Sequence, residues 1–86
     1  MLNVEVVDVR KIASGKVKAF VDVKFGDAIV VKGFTVIEGK RGNFVTGPRK
    51  TGADGRWYDV LLIQDADVLK EIESKVLEAF DKEPEA

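Results

Sequence analysis

The run VKAFVDVKFGD, residues 17–27, carries the clearest period in this 86-residue chain. Val17, Ala19, Val21, Val23 and Phe25 fall on one face, and Lys18, Phe20, Asp22 and Lys24 on the other. That is the alternation of a half-buried strand with a mostly solvated back. Gly26-Asp27 is a two-residue hairpin signal, so the next strand returns antiparallel from about Ala28 to Glu38, bent at Gly33. Upstream, NVEVVDVRK sets Val4, Val6 and Asp8 on one face and Val7 and Val9 on the other. The alternation slips at Val6-Val7, which predicts a first strand with a bulge at the slip. Ser14-Gly15-Lys16 is the turn between these strands, Gly39-Lys40-Arg41-Gly42 is the next turn, and Asn43 to Thr46 is a short fourth strand.

Gly47 to Gly55 reads as a loop, tightest at Ala53-Asp54-Gly55, and Trp57 to Leu62 as a fifth strand. The period then changes. Val68, Leu69, Ile72, Val76, Leu77 and Phe80 recur at helical spacing, with Lys70, Glu71, Glu73, Lys75 and Glu78 opposite. Asp65 is the N-cap, and Asp67 sits in the positive first turn. Strands first and one helix last define an α+β fold: an antiparallel β-meander of about five strands followed by a C-terminal α-helix. One small domain covers residues 1–80, and residues 81–86 form a frayed acidic tail. A core this small leaves a thin stability margin, and a short meander leaves unpaired backbone groups at its edge. The expected assembly is therefore a homodimer through a strand edge.

Composition narrows the chemistry. The chain has no cysteine and no histidine, which removes disulfides, thiolate chemistry, the usual zinc ligands and imidazole acid–base catalysis. No apolar run approaches the ~20 residues of a membrane-spanning helix, and the first residues lack a signal peptide's apolar centre. A cytosolic protein with no membrane, metal, cofactor or small-molecule substrate is expected. The net charge of −1 conceals an uneven distribution. Residues 40–56 hold Lys40, Arg41, Arg49, Lys50 and Arg56 against Asp54 alone, whereas residues 65–86 hold eight acids against three lysines. Two basic turns at one end of a sheet would make a local positive field despite the acidic total.

Four features bear on chemistry. Gly42 and Gly47 have P-loop spacing, but Pro48 stands where the lysine must be and no helix follows. Asp54 and Asp59 could serve as acid and base, yet nothing in the sequence splits their pKa values, and Asp54 in A-D-G is a turn residue that tolerates a left-handed backbone. Catalysis is not expected. Trp57 and Tyr58 are strand neighbours, so one should enter the core and the other stay near the surface; either both simply anchor the sheet, or the exposed ring stacks on a base or sugar next to the cations. The basic cluster has two readings: solvated hairpin turns, or a contact surface for nucleic acid or another polyanion.

Several segments together resemble the SpoVG family (stage V sporulation protein G, also described as septation proteins). They are FTVIEG at 34–39, GNFV at 42–45, PRKT at 48–51, Asp54-Gly55 and WYD at 57–59. The opening strands are similar too, so the resemblance runs to about Phe80. It implies a small bacterial cytosolic protein with an antiparallel sheet and a C-terminal helix, dimeric in known members. It also implies a regulator that binds DNA and RNA and is linked to septation and sporulation. Arg49 and Lys50 match the family's Lys-Arg pair, which is associated with nucleic-acid binding. Gly52-Ala53 replaces a proline, which implies a more flexible loop. Arg56 replaces an acid, adding a cation, and Leu61 to Gln64 replace the family's His-Pro-Ile-Asn stretch. On this reading the glycines shape a loop that approaches phosphates while Arg49, Lys50 and Arg56 supply charge, with Lys40 and Arg41 nearby. The competing reading is a protein-interaction module working through the sheet edge or the acidic helix face.

Overall fold

The computed structural model describes residues 3–84. Strands β1 (Val4–Ser14), β2 (Val17–Phe25), β3 (Ile29–Gly39) and β4 (Gly42–Thr46) form one antiparallel sheet in that spatial order. Two short strands, β5 (Arg49–Thr51) and β6 (Trp57–Asp59), pair as a separate ribbon, and α1 (Ala66–Lys82) closes the chain. The meander of about five strands is thus four strands plus a two-stranded ribbon. The segment read as loop contributes β5, and the expected fifth strand is shorter than its pattern suggests, ending at Asp59 with one further ladder bond from the Val60 N–H to the Pro48 carbonyl.

The alternation in β2 does what its pattern demands from Ala19 onward, while Val17, beyond a register shift and opposite Ile37, is only half-buried. Ala19, Val21, Val23 and Phe25 are buried, and the register continues their rows across the sheet: Val9 opposite Val21 opposite Phe34, and Ala19 opposite Val36 opposite Val45. The helix seals this face with Ile72 and Val76, both fully buried, flanked by Val68, Leu77 and Phe80. Asp65 caps the helix by accepting the N–H groups of Asp67 and Val68. Lys75 reaches from the helix to the Val4 carbonyl at 2.6 Å, tying the last element to the first strand. The tail expected to fray from residue 81 is helical through Lys82, where the Lys82–Glu78 pair at 3.0 Å supports the last turn. Residues 85 and 86 lie outside the described residues.

Two local expectations need correction. Gly26-Asp27 is part of a three-residue connection, since Phe25 pairs with Ile29 and Ala28 joins the turn. Asp22, placed on a solvated back by the alternation, is buried. The slip at Val6-Val7 is the bulge that the sequence predicts, and it sets Asp8 opposite Asp22 with Arg10 two residues on. Arg10 donates to both carboxylate oxygens of Asp22 at 2.9 Å and also to Asp8. On the other side, β3 bulges opposite Asp22 at Lys32-Gly33, with Gly33 at φ 99°. The Arg10 fork, with smaller help from Lys32 and the Gly33 N–H, holds the Asp22 carboxyl below the ordinary carboxylate range.

This pair generates a pH-dependent prediction. The depressed Asp22 pKa contributes stability above the unfolded carboxylate pKa, and that contribution is lost as pH falls through the folded value. Arg10→Ala strands a buried carboxylate, whereas Asp22→Asn leaves a half-exposed guanidinium that water can solvate. Thermal melts should therefore rank Arg10→Ala below Asp22→Asn at neutral pH. The gap should narrow as pH falls, because burial without the Arg10 partner favours the protonated form of the stranded carboxyl. Packing gives a second expectation. Ile72→Ala should cost roughly 2–5 kcal/mol in urea unfolding, while Leu62→Ala, at 72% exposure, should cost less than about 1 kcal/mol.

Candidate nucleic-acid interface

The segment with three of the five cations is built by a hairpin. Arg49 pairs with Asp59, Lys50 with Tyr58 and Thr51 with Trp57. Residues on one face of a ribbon alternate, so Arg49, Thr51, Trp57 and Asp59 share one face, and Lys50 and Tyr58 share the other. The Arg49 and Lys50 side chains thus leave the ribbon in opposite directions. Arg49 Nε lies 3.3 Å from Asp59 Oδ1 in an exposed cross-strand pair, a contact worth little in water.

The turn from Gly52 to Arg56 is held by its own hydrogen bonds. The Gly52 N–H donates to the Arg56 carbonyl at 2.7 Å, and the Gly55 N–H donates to the Gly52 carbonyl at 3.0 Å. Asp54 accepts the Arg56 N–H at 3.0 Å through Oδ1 and the Tyr58 hydroxyl through Oδ2. The same bonds set the electrostatics: the Tyr58 hydroxyl holds the Asp54 carboxyl below its ordinary range, and Asp54 pushes the Tyr58 phenol up. Asp54 is a turn residue as expected, but the left-handed backbone falls on Gly55, at φ 80°. The position expected to loosen the loop, Gly52, serves a close approach instead. A Cβ there would lie 2.5 Å from the Tyr58 ring.

Trp57 and Tyr58 correct another expectation. Both are exposed, at 61% and 45%, rather than one being buried. The physical reason is that β5 and β6 are not part of the four-stranded sheet, so neither face of the ribbon enters the helix-covered core. Lys40 and Arg41 form the tip of the β3–β4 hairpin, between the paired Gly39 and Gly42. The five cations are all exposed, but they occupy two hairpins in two sheets instead of capping one end of one sheet. Among the described residues, no hydrogen bond or ion pair joins the two tips.

Sequence reasoning missed the surface beside the ribbon. The sheet face turned away from the helix carries Phe20, Ile37 and Phe44, and a groove of about 590 Å³ separates it from Pro48, Arg49 and Trp57. The exposed Phe20 in an otherwise charged alternation was the available signal. Among the described residues, no group of three or more acidic side chains gathers closely enough to hold a metal ion, and no helix is long and apolar enough to cross a membrane.

Comparison with known proteins converges on one family. The SpoVG family model matches residues 2–82. A "Putative septation protein SpoVG" from Lachnospira eligens is 35% identical over 82 residues, covering 94% of this chain and 93% of its own. A protein of the same name from Clostridium beijerinckii is 38% identical over 77 residues, covering 88% and 85%. One from Staphylococcus carnosus is 36% identical over 85 residues, covering 98% and 79%. With a helix-backed antiparallel sheet beneath a sequence match of this extent, the chain belongs to the SpoVG family.

Proposed function

We propose that this protein is a non-enzymatic, cytosolic nucleic-acid-binding regulator that contacts DNA or RNA phosphates through the β5–β6 hairpin. The observation that carries the reading is the strapped turn. Exposed Arg49 and Lys50 on β5 and Arg56 at the end of a five-residue turn belong to one hairpin, whose turn backbone is fixed by Asp54 and which carries two exposed aromatic rings. A fixed turn spends less conformational entropy when it meets a polyanion than a free loop does. Arginine can fork onto phosphate oxygens, and lysine adds a mobile point charge. Cations on two faces of a narrow ribbon suit contacts to a backbone better than readout of base edges, which gives modest sequence selectivity. Lys40 and Arg41 extend the positive surface at a second hairpin. The relatives' printed names support a role in the control of septation, with the nucleic-acid contact as its means.

A homodimer would place two such hairpins on one particle and raise avidity without new contacts. The sheet's outer strands are β1 and β4, either of which could pair with a second copy. The alternative, a protein-interaction module, is favoured by one feature. Ile29 and Leu62, 57% and 72% exposed, line an apolar groove of about 360 Å³ between the β2–β3 turn and the start of α1.

Two measurements check this reading. Anisotropy titrations of labelled DNA and RNA at several salt concentrations should show affinity falling with salt. The Arg49→Ala/Lys50→Ala double variant should lose roughly one to two units of the log–log slope. Salt-independent binding, or an unchanged slope in a folded variant, favours the interaction module. Light scattering at micromolar concentration should give about twice the 9.5 kDa chain mass, and a monomer mass would remove the dimer.

A further inference from the structure

We propose that the groove between the ribbon and the open sheet face is a base-stacking site, which makes single-stranded nucleic acid the ligand class. The proposal rests on the phosphate-binding reading of the hairpin and deepens it. Trp57 and Phe20 line the same groove, one from the ribbon and one from the centre of the sheet, with Pro48 and Ile37 completing an apolar surface. The groove's volume of about 590 Å³ lies within the roughly 300–1,000 Å³ span of small-ligand sites.

Charge complementarity selects the occupant. Lys32 and Arg49 line the groove on its sheet and ribbon sides, so an apolar floor lies between two cations. The carboxylates Asp8 and Asp22, from the neighbouring strands, are held by Arg10. Asp59, on the ribbon face shared with Trp57, is paired with Arg49 through Nε. Aromatic faces between cations match alternating bases and phosphates, and stacking on them tolerates any base. A duplex keeps its bases in its own stack and cannot offer one to the groove without unpairing it. Tyr58 is not part of the site: it leaves the opposite ribbon face, and its hydroxyl is engaged by Asp54. Trp57, 61% exposed with no core contact to lose, is positioned for stacking instead.

Trp57 is the only tryptophan, so its fluorescence reports on the groove directly. The full-length protein would be titrated with a labelled oligothymidine, a same-length abasic strand and a duplex, following both anisotropy and Trp57 emission. Oligothymidine should quench Trp57 and bind more tightly than the other two. Trp57→Ala should weaken oligothymidine binding roughly 5- to 150-fold while leaving abasic binding and the salt slope unchanged, and Trp57→Phe should retain most of the affinity. Phe20→Leu, which keeps an apolar side chain in the sheet, should show a smaller loss of the same kind. Equal binding of oligothymidine and abasic strand with unchanged emission would overturn the groove site and leave the phosphate-binding hairpin standing. No salt-dependent binding of any strand would overturn both. A Trp57→Ala variant that changes the particle mass would assign this face to contact between copies of the chain, and would also overturn the proposal.

Discussion

One helix can cover one face of a sheet. In this chain the single helix covers the face made by the β2 alternation, and Ile72 and Val76 complete a core that has no second layer on its far side. The uncovered face must then be made tolerable to water by other means. Arg10 bridges Asp8 and Asp22 on one part of it, and the β5–β6 ribbon flanks another part across a groove. The exposed aromatic rings follow from this arrangement. Phe20 faces away from the helix, and Trp57 belongs to a ribbon that never joins the main sheet. A small domain with a single-layer core thus ends with an apolar, cation-flanked surface, which is a natural place for a ligand.

The core was legible in the sequence because its two periods are strong and local. The alternation of residues 17–25 and the helical spacing from Val68 to Phe80 each specify a buried face without reference to the other. Even the β1 bulge was readable, since a slip in alternation is the direct signature of an extra residue. The ribbon was not. Three residues per strand, flanked by Gly47-Pro48 and Gly52, carry too little period to distinguish a strand from a loop. The outward position of both Trp57 and Tyr58 then depends on the ribbon's separation from the sheet, which no local pattern encodes. Asp22 was misplaced for a related reason: its burial goes with a bulge on each neighbouring strand and an arginine on the adjacent β1.

The candidate site was legible as composition and illegible as arrangement. The cluster of Lys and Arg between residues 40 and 56 was visible at once, but not its division between two hairpins or the opposite directions of Arg49 and Lys50. The role of Gly52 is also the reverse of the one its sequence context suggests. A glycine in a basic loop reads as freedom, yet here it leaves room for the Tyr58 ring, whose hydroxyl meets the carboxylate that orders the turn. Rigidity of this kind favours a surface prepared for its ligand over one that folds around it.

The central claim is that nucleic acid meets the ribbon and the open sheet face while the helix stays at the back. Amide chemical-shift mapping of the isotope-labelled protein, titrated with a short single-stranded oligonucleotide, tests it most directly. The account predicts shifts concentrated at Arg49–Asp59 and at Phe20 and Lys32, with the helix amides from Ala66 to Lys82 unmoved. Shifts concentrated on the helix, with the ribbon silent, would contradict it.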